Sequence, residues 1–156
     1  METITLLGAA SVQIRPWQSS DQDAAKSLIL TGLGERWGLL DPTLNPDLDD
    51  IGHSYADAVF LVGMCAGTLV ATGALVPEAP GIGRIVRMSV RRERRGQGIG
   101  RAMLAALLAQ ARAQGIRHVL LETTSTWRDA VRFYTTAGFH VTHEADDETH
   151  MLLELE

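Results

Sequence analysis

A single cysteine, Cys65, in 156 residues excludes an internal disulfide and a cysteine-based metal cluster. It sits in an apolar stretch and reads as a small buried hydrophobe. Lysine is as scarce: Lys26 is the only one. Its position rules out a phosphate loop ending in Gly-Lys-Ser/Thr further along the chain, because that loop needs its own lysine at the phosphates. No apolar run is long enough to cross a bilayer. Met1 to Ala10 contains Glu2 and no basic flank, so no secretory leader is expected. Aspartate and glutamate (19) outnumber lysine and arginine (14), which argues against a general nucleic-acid binder. No repeat or low-complexity segment interrupts the chain. The expectation is one cytoplasmic domain, residues 12–156, behind a loose tail at 1–11, with no membrane and no nucleic-acid partner.

What the chain does have is arginine gathered around glycine. Arg91-Arg92-Glu93-Arg94-Arg95-Gly96-Gln97-Gly98-Ile99-Gly100-Arg101 lies between a strand-like run, Arg84–Val90, and a helix-like run, Ile99–Gln114. The net charge is −5, so this basic cluster is local. Three glycines in five residues let the backbone come close to a ligand. The helix that follows starts with free N–H groups and the positive end of a dipole. Together these make an anion cradle. A dinucleotide loop requires G-x-G-x-x-G directly after the strand. Here the spacing is G-x-G-x-G and five residues intervene, although Glu122 stands at a plausible distance for a ribose-binding acid.

Along the chain, Val12–Arg15 alternates like a strand closed by Pro16. Ser19 and Gln22 form a capping-box pattern before Ala24, Ala25, Leu28, Ile29 and Leu33 on one helical face. Gly32, Gly34, Gly38 and Pro42 break that helix, and a short one is expected over about 47–57. Val59–Met64 and Thr68–Val76 read as strands, then a loop at 77–81. After the glycine loop, Ile99, Met103, Leu104, Leu107, Leu108 and Ala111 share one helix face. Val119–Leu121 is a buried strand. Thr126 caps a helix holding Ala130, Phe133, Tyr134 and Ala137, which Gly138 stops. Phe139–Glu144 and His150–Leu155 form a closing hairpin. The expected fold class is α/β (α+β): a mixed, mostly antiparallel sheet of about seven strands with about four helices, ordered β-α-α-β-β-β-α-β-α-β-β.

Arg95-Gly96-Gln97-Gly98-Ile99-Gly100 matches the [Q/R]-x-x-G-x-[G/A] loop of the GCN5-related N-acetyltransferase (GNAT) superfamily. Ala130-Val131-Arg132-Phe133-Tyr134-Thr135-Thr136-Ala137-Gly138-Phe139 resembles that family's A-x-x-x-Y-x-x-x-G-F segment. The resemblance is specific over 84–142 and weaker over 12–76. It implies acetyl-CoA as acyl donor, with its pyrophosphate on the backbone amides of Arg95, Gly96, Gln97, Gly98, Ile99, Gly100 and Arg101. It also implies that Met88, Ser89 and Val90 pair with the pantetheine arm, as a peptide adds to a strand edge. Tyr134 matches the tyrosine that protonates the departing thiolate after direct attack by an amine. A phenol with pKa about 10 is still protonated at neutral pH. The implied activity is N-acetylation of a primary amine, on a small molecule or a protein. The non-catalytic alternative is an acyl-CoA-binding domain, and a nicotinamide-dinucleotide binder is the more distant rival.

The sequence departs from the family at two places. Many members carry a glutamate where Arg84 aligns, and arginine cannot act as a base. The amine must lose a proton, and Glu78, Glu122, Glu35 and His53 are the alternatives. The family often has asparagine where this chain has Trp127. The acidic segment Glu35–Asp57 could line the acceptor side and attract a cationic amine, or form caps and a solvated face. Trp17, Trp37 and Tyr55 read as an aromatic wall or as core. His140 and His143 face opposite ways in an ideal strand, so no metal site is expected. The oligomeric state is left open, a homodimer included.

Overall fold

In the computed structural model, which describes residues 3–7, 10–38 and 42–156, every strand joins one sheet. The strands are β1 (Thr3–Leu7), β2 (Ala10–Pro16), β3 (Val59–Cys65), β4 (Thr68–Ala79), β5 (Ile82–Val90), β6 (His118–Thr124), β7 (His140–Ala145) and β8 (Glu148–Glu154). The helices are α1 (Gln22–Trp37), α2 (Ile51–Ser54), α3 (Ile99–Ala113) and α4 (Arg128–Thr136). The spatial order is β1-β2-β3-β4-β5-β6-β8-β7, and β5–β6 is the one parallel pair. The seven strands and four helices expected from the sequence are present in the expected order. β1 adds an eighth strand.

β1 falls within the tail read off the sequence, and it pairs antiparallel with β2 from Thr3–Ile14 to Leu7–Ala10. Five residues are too few to show a period on their own. It is the neighbouring edge of β2 that makes them a strand.

Alternation divides the core into two layers. Leu61 and Leu75 face α3, joining Ile99, Met103, Leu104 and Leu107. Phe60, Val62 and Ala74 face α1 and α2, joining Ala25, Leu28, Ile29, Leu48 and Ile51. The strand period of two and the helix period of 3.6 are thus satisfied together.

Helix α1 runs through Gly32 and Gly34, two of the expected breaks, to Trp37, and Gly38, a third, ends it. An interior glycine costs about 1 kcal/mol relative to alanine. Gly32 has a packing reason, since a Cβ there would lie 3.2 Å from Ser89 Oγ on β5. The helix expected over 47–57 is instead a 3-10 turn, Pro46–Leu48, followed by the single turn of α2. Proline at 46 and the run of aspartates favour short turns over a continuous helix.

The capping pattern also shifts from Ser19–Gln22 to Gln18–Asp21. Asp21 accepts from the Gln18 amide at 2.8 Å and from both terminal nitrogens of Arg15 at 2.7 and 2.9 Å. The Arg15 bonds hold the Asp21 carboxyl below its ordinary value, against the upward push of burial. A carboxyl depressed on folding stabilises the protein above its unfolded pKa and stops doing so as pH falls through the folded value. Asp21→Asn should therefore cost about 2 kcal/mol at pH 7, and the difference from wild type should vanish in strong acid. Urea unfolding at both pH values checks this.

The arrangement of β5 and β6 positions everything that follows. They pair only at Ile82–His118, Gly83–Val119 and Arg84–Leu120. Beyond that point β5 continues to Val90 and β6 to Thr124 without pairing to each other. The sheet opens into a slot whose two walls carry unspent backbone groups.

Candidate active site

The slot widens into a cleft of about 970 Å³. It is lined by β5 from Ile85 to Val90, by the glycine loop, by β6 from Leu121 to Thr124, by the start of α4 and by the last turns of α1.

One end is the anion cradle. Arg92–Arg94 form a 3-10 turn, in which the Arg95 amide donates to Arg92 O at 3.3 Å. Gly96 and Gly98 have φ of +79° and +85°. Gly98 is the N-cap of α3 and supplies no capping side chain. The first α3 backbone bond runs from Ala102 N to Gly98 O at 3.0 Å. Among the described residues, nothing accepts from the amides of 96–101. These N–H groups and the helix dipole make the loop a place for a diphosphate.

Within the expected set of 95–101, the roles differ from residue to residue. The Arg95 amide is already used. Its guanidinium is held by Val90 O at 3.0 Å and by both oxygens of Glu35 at 3.1 Å. Ile99 is 2 % exposed, so only its main chain can meet a ligand. Arg94 and Arg101 line the cleft.

Tyr134 stands in the opposite wall, on α4. Its ring is set edge-on between Phe133 at 5.0 Å and Phe139 at 5.7 Å. Gly138, with φ +107°, ends the helix and lets Phe139 fold back, its amide donating to Tyr134 O at 3.0 Å. The A-x-x-x-Y-x-x-x-G-F pattern thus has a mechanical purpose here: it fixes the phenol. Burial pushes the Tyr134 hydroxyl further above its ordinary pKa. It keeps its proton through the neutral range and can donate it.

The last turn of α1 ties the two walls together through three consecutive residues. Glu35 holds Arg95 of the loop. Arg36 pairs with Asp129 at 2.7 and 2.8 Å and lies 4.5 Å over the Trp127 ring. Trp37 meets Trp127 at 4.9 Å.

The acidic segment at 35–57 is largely spoken for. Asp47 pairs with Arg87, Asp49 with Lys26, and Asp50 caps His53 N. Burial pushes the Asp47 carboxyl up, and the bonds from Arg87 and Tyr55 outweigh it, leaving the carboxyl below its usual range. Burial and the Asp47 bond raise the Tyr55 phenol to about 12. Among the described residues, Glu35, Asp47, Asp49 and Asp50 are thus caps and ion pairs, not a free acidic lining, and Asp41 lies outside the described residues.

The Acetyltransferase (GNAT) family model matches residues 14–139. This chain belongs to the GNAT family. It is thereby a member of an acyltransferase family. No curated protein matches it. Among solved structures, an acetyltransferase of the GNAT family from Staphylococcus aureus Mu50 superposes with a TM-score of 0.86 at 21% identity, covering 93% of this chain and 99% of that one. The PaiA N-acetyltransferase of Thermoplasma acidophilum, solved in complex with coenzyme A, gives 0.82 at 17%, covering 92% and 99%. Rv2747 from Mycobacterium tuberculosis, in complex with CoA and NLQ, gives 0.73 at 22%, covering 92% and 99%.

The two departures from the GNAT pattern have structural consequences. Arg84, at the position where many members have glutamate, bridges Glu78 on β4 and Glu122 on β6. The Glu78 bond, followed by the charge of Glu122, raises its pKa further. Of the four candidate bases, Glu122 lines the cleft, whereas Glu78, Glu35 and His53 do not. Trp127 is a cleft residue that the sequence reading left out of the site; no periodicity in the sequence marks it. Arg36 and Arg87 escaped in the same way, because distant segments bring them to the cleft, while Trp37 and Asp47, open alternatives in the sequence, also line it. His143, set beside His150 by the register shift in β7, stacks on its ring at 4.2 Å. Among the described residues, no three His, Cys, Asp or Glu side chains converge on a common point.

Proposed function

We propose that this GNAT domain is an acetyl-CoA-dependent N-acetyltransferase acting on a primary amine by direct attack in a ternary complex. One observation carries the reading: Gly96 and residues 98–101, with their unsatisfied amides, and Tyr134, with its proton-bearing phenol, line a single cleft, on either side of the β5–β6 opening. The residues fit the donor's chemistry. Glycines 96 and 98 present no Cβ, and a Cβ at Gly96 would meet nothing within 4 Å. The edges of Met88–Val90 offer a peptide-like arm its hydrogen bonds. When bound, acetyl-CoA supplies the thioester acyl group.

The chain's own residues do the rest. The loop holds the phosphates and the β5 edge aligns the arm. Tyr134 donates its proton to the thiolate. Glu122, kept in place by Arg84, takes the ammonium proton through water. That step is needed because an alkylamine of pKa about 10.4 is almost wholly charged at neutral pH. The cytoplasmic location expected from the sequence accompanies this reading.

The test is free-thiol release from acetyl-CoA across a panel of amines. Turnover is expected, and Glu122→Gln should lower kcat/KM. Binding without turnover would favour the second reading, a non-catalytic acyl-CoA sensor, which Arg84 at the glutamate position supports. Thermal protection by NADH but not by acetyl-CoA would sink both.

A further inference from the structure

The acceptor side of the same cleft holds an arginine whose placement is unusual. Among the described residues, Arg87 is the one non-glycine residue within a strand that has positive φ, at +56°. Bulky residues are outliers there, and such conformations gather at ligand clamps. The β4–β5 register shifts between Thr72 and Ala74, opposite this point. The bulge changes which way Arg87 faces. Ile85 and Met88 pack on the α3 side and Val86 on the α1 side. Strict alternation would send Arg87 towards α3. With the extra residue it reaches the opposite layer.

There the guanidinium is held but half used. Nη2 donates to Asp47 Oδ1 at 2.6 Å and Asn45 Oδ1 at 3.2 Å, and Nε donates to Asp47 Oδ2 at 3.0 Å. Tyr55 steadies Asp47 with a 2.6 Å bond, and Thr72 Oγ1 donates to Arg87 O at 2.7 Å. Nη1 hydrogen-bonds to no described residue. The one fully buried, unpartnered side-chain nitrogen or oxygen among them is Trp17 Nε1, so Nη1 is open to solvent. Arg87 lines the cleft with Tyr134 and Glu122.

A donor so placed has little side-chain freedom left to lose when a ligand oxygen arrives. Asp47 balances its charge and Arg84 balances Glu122, so neither carboxylate stands unopposed against an incoming anion. We propose that Arg87 Nη1 reads an sp² oxygen beside the reactive amine. The acceptor is then an α-amino acid or the N-terminal residue of a peptide, not a plain alkylamine. This rests on the transferase reading above.

The experiment compares leucine, phenylalanine and serine with their amides and their decarboxylated amines, by thiol release. The oxygen-bearing members should exceed the matching amine by about tenfold in kcat/KM, because an amine lacking the oxygen leaves a placed donor unpaired. Arg87→Gln should erase most of that ratio, mainly through KM. Asp47→Asn frees the guanidinium's charge. It should keep the ratio while shifting preference from amide towards free carboxylate. A structural role for Arg87 would make the two variants alike. Equal use of amino acids and plain amines by the wild type, or a uniform loss across the panel in Arg87→Gln, overturns the inference and leaves acetyl transfer standing. If no acceptor releases thiol, the transferase reading falls and takes this inference with it.

Discussion

Tyr134→Phe should lower kcat by about 10²–10⁴-fold, the usual worth of a positioned general acid. The ring remains between Phe133 and Phe139, and the lost hydroxyl hydrogen-bonds to no described residue. Stability should therefore change by no more than about 0.5 kcal/mol. Binding of CoA, measured by calorimetry, should stay close to wild type, which separates a chemical role from a packing one. Burial holds the phenol pKa above its ordinary value, so Tyr134 deprotonation should contribute no alkaline limb in the range where the enzyme is assayed. A buried thiolate is likewise destabilised by the absence of water. On the proposed mechanism, proton transfer from the phenol would relieve that cost as the C–S bond breaks. Full turnover in Tyr134→Phe would return the residue to the role of a packed aromatic.

The glycine loop gives the second large effect, and two of its glycines should behave in opposite ways. Gly98 has φ +85° at the N-cap of α3. Valine there is strained by about 1–3 kcal/mol. Gly98→Val should thus lower the thermal midpoint by several degrees, at about 2–4 °C for each kcal/mol in a chain of this size. It should also weaken CoA binding by tens-fold, since relief of the strain turns the cradle amides. Gly100 differs. Its φ is not positive, and an added Cβ would meet Phe133 and Val90 at 3.6 Å, an ordinary contact. Alanine is the better helix former by about 1 kcal/mol. Gly100→Ala should therefore leave the fold as stable or more so, while weakening CoA if the diphosphate approaches the backbone here as proposed. Thermal melts with and without CoA read both quantities at once. An unaltered CoA affinity in Gly100→Ala would mean that the ligand does not come close to this amide.

Much of this was legible in the chain because it is local. The glycine spacing, the helix face Ile99–Ala111 and the Tyr134–Gly138–Phe139 turn each depend on residues within a few positions of one another. The cradle and the phenol could therefore be named as candidates before any strand was paired. Errors arose where pairing decides. Residues 3–7 carry too short a pattern to declare a strand until β2 offers its edge. Gly32 is a helix breaker by propensity, yet it sits inside α1 where the helix comes close to Ser89 on β5.

The orientation of Arg87 is likewise settled by pairing: with Ile85 on the α3 side, one bulge residue turns Arg87 to the opposite layer. The acidic run at 35–57 allows two readings from sequence, an acceptor lining or caps and a solvated face, and only contacts between segments choose between them. Arg87, Arg95 and Lys26, contributed by other elements, turn its main carboxylates into ion pairs.

The sequence by itself determined the chemistry on offer: an arginine-flanked glycine loop without lysine, and a tyrosine set one helix turn before Gly-Phe, on a chain whose periodicities allow one mixed sheet. Backbone conformation and short-range side-chain spacing are enough for that. Tertiary structure decided where β5 and β6 part, which carboxylate faces the opening, and which arginine remains half free inside it. Those outcomes depend on register and on contacts between segments far apart in the chain, and a shift of one residue in a strand exchanges its two faces.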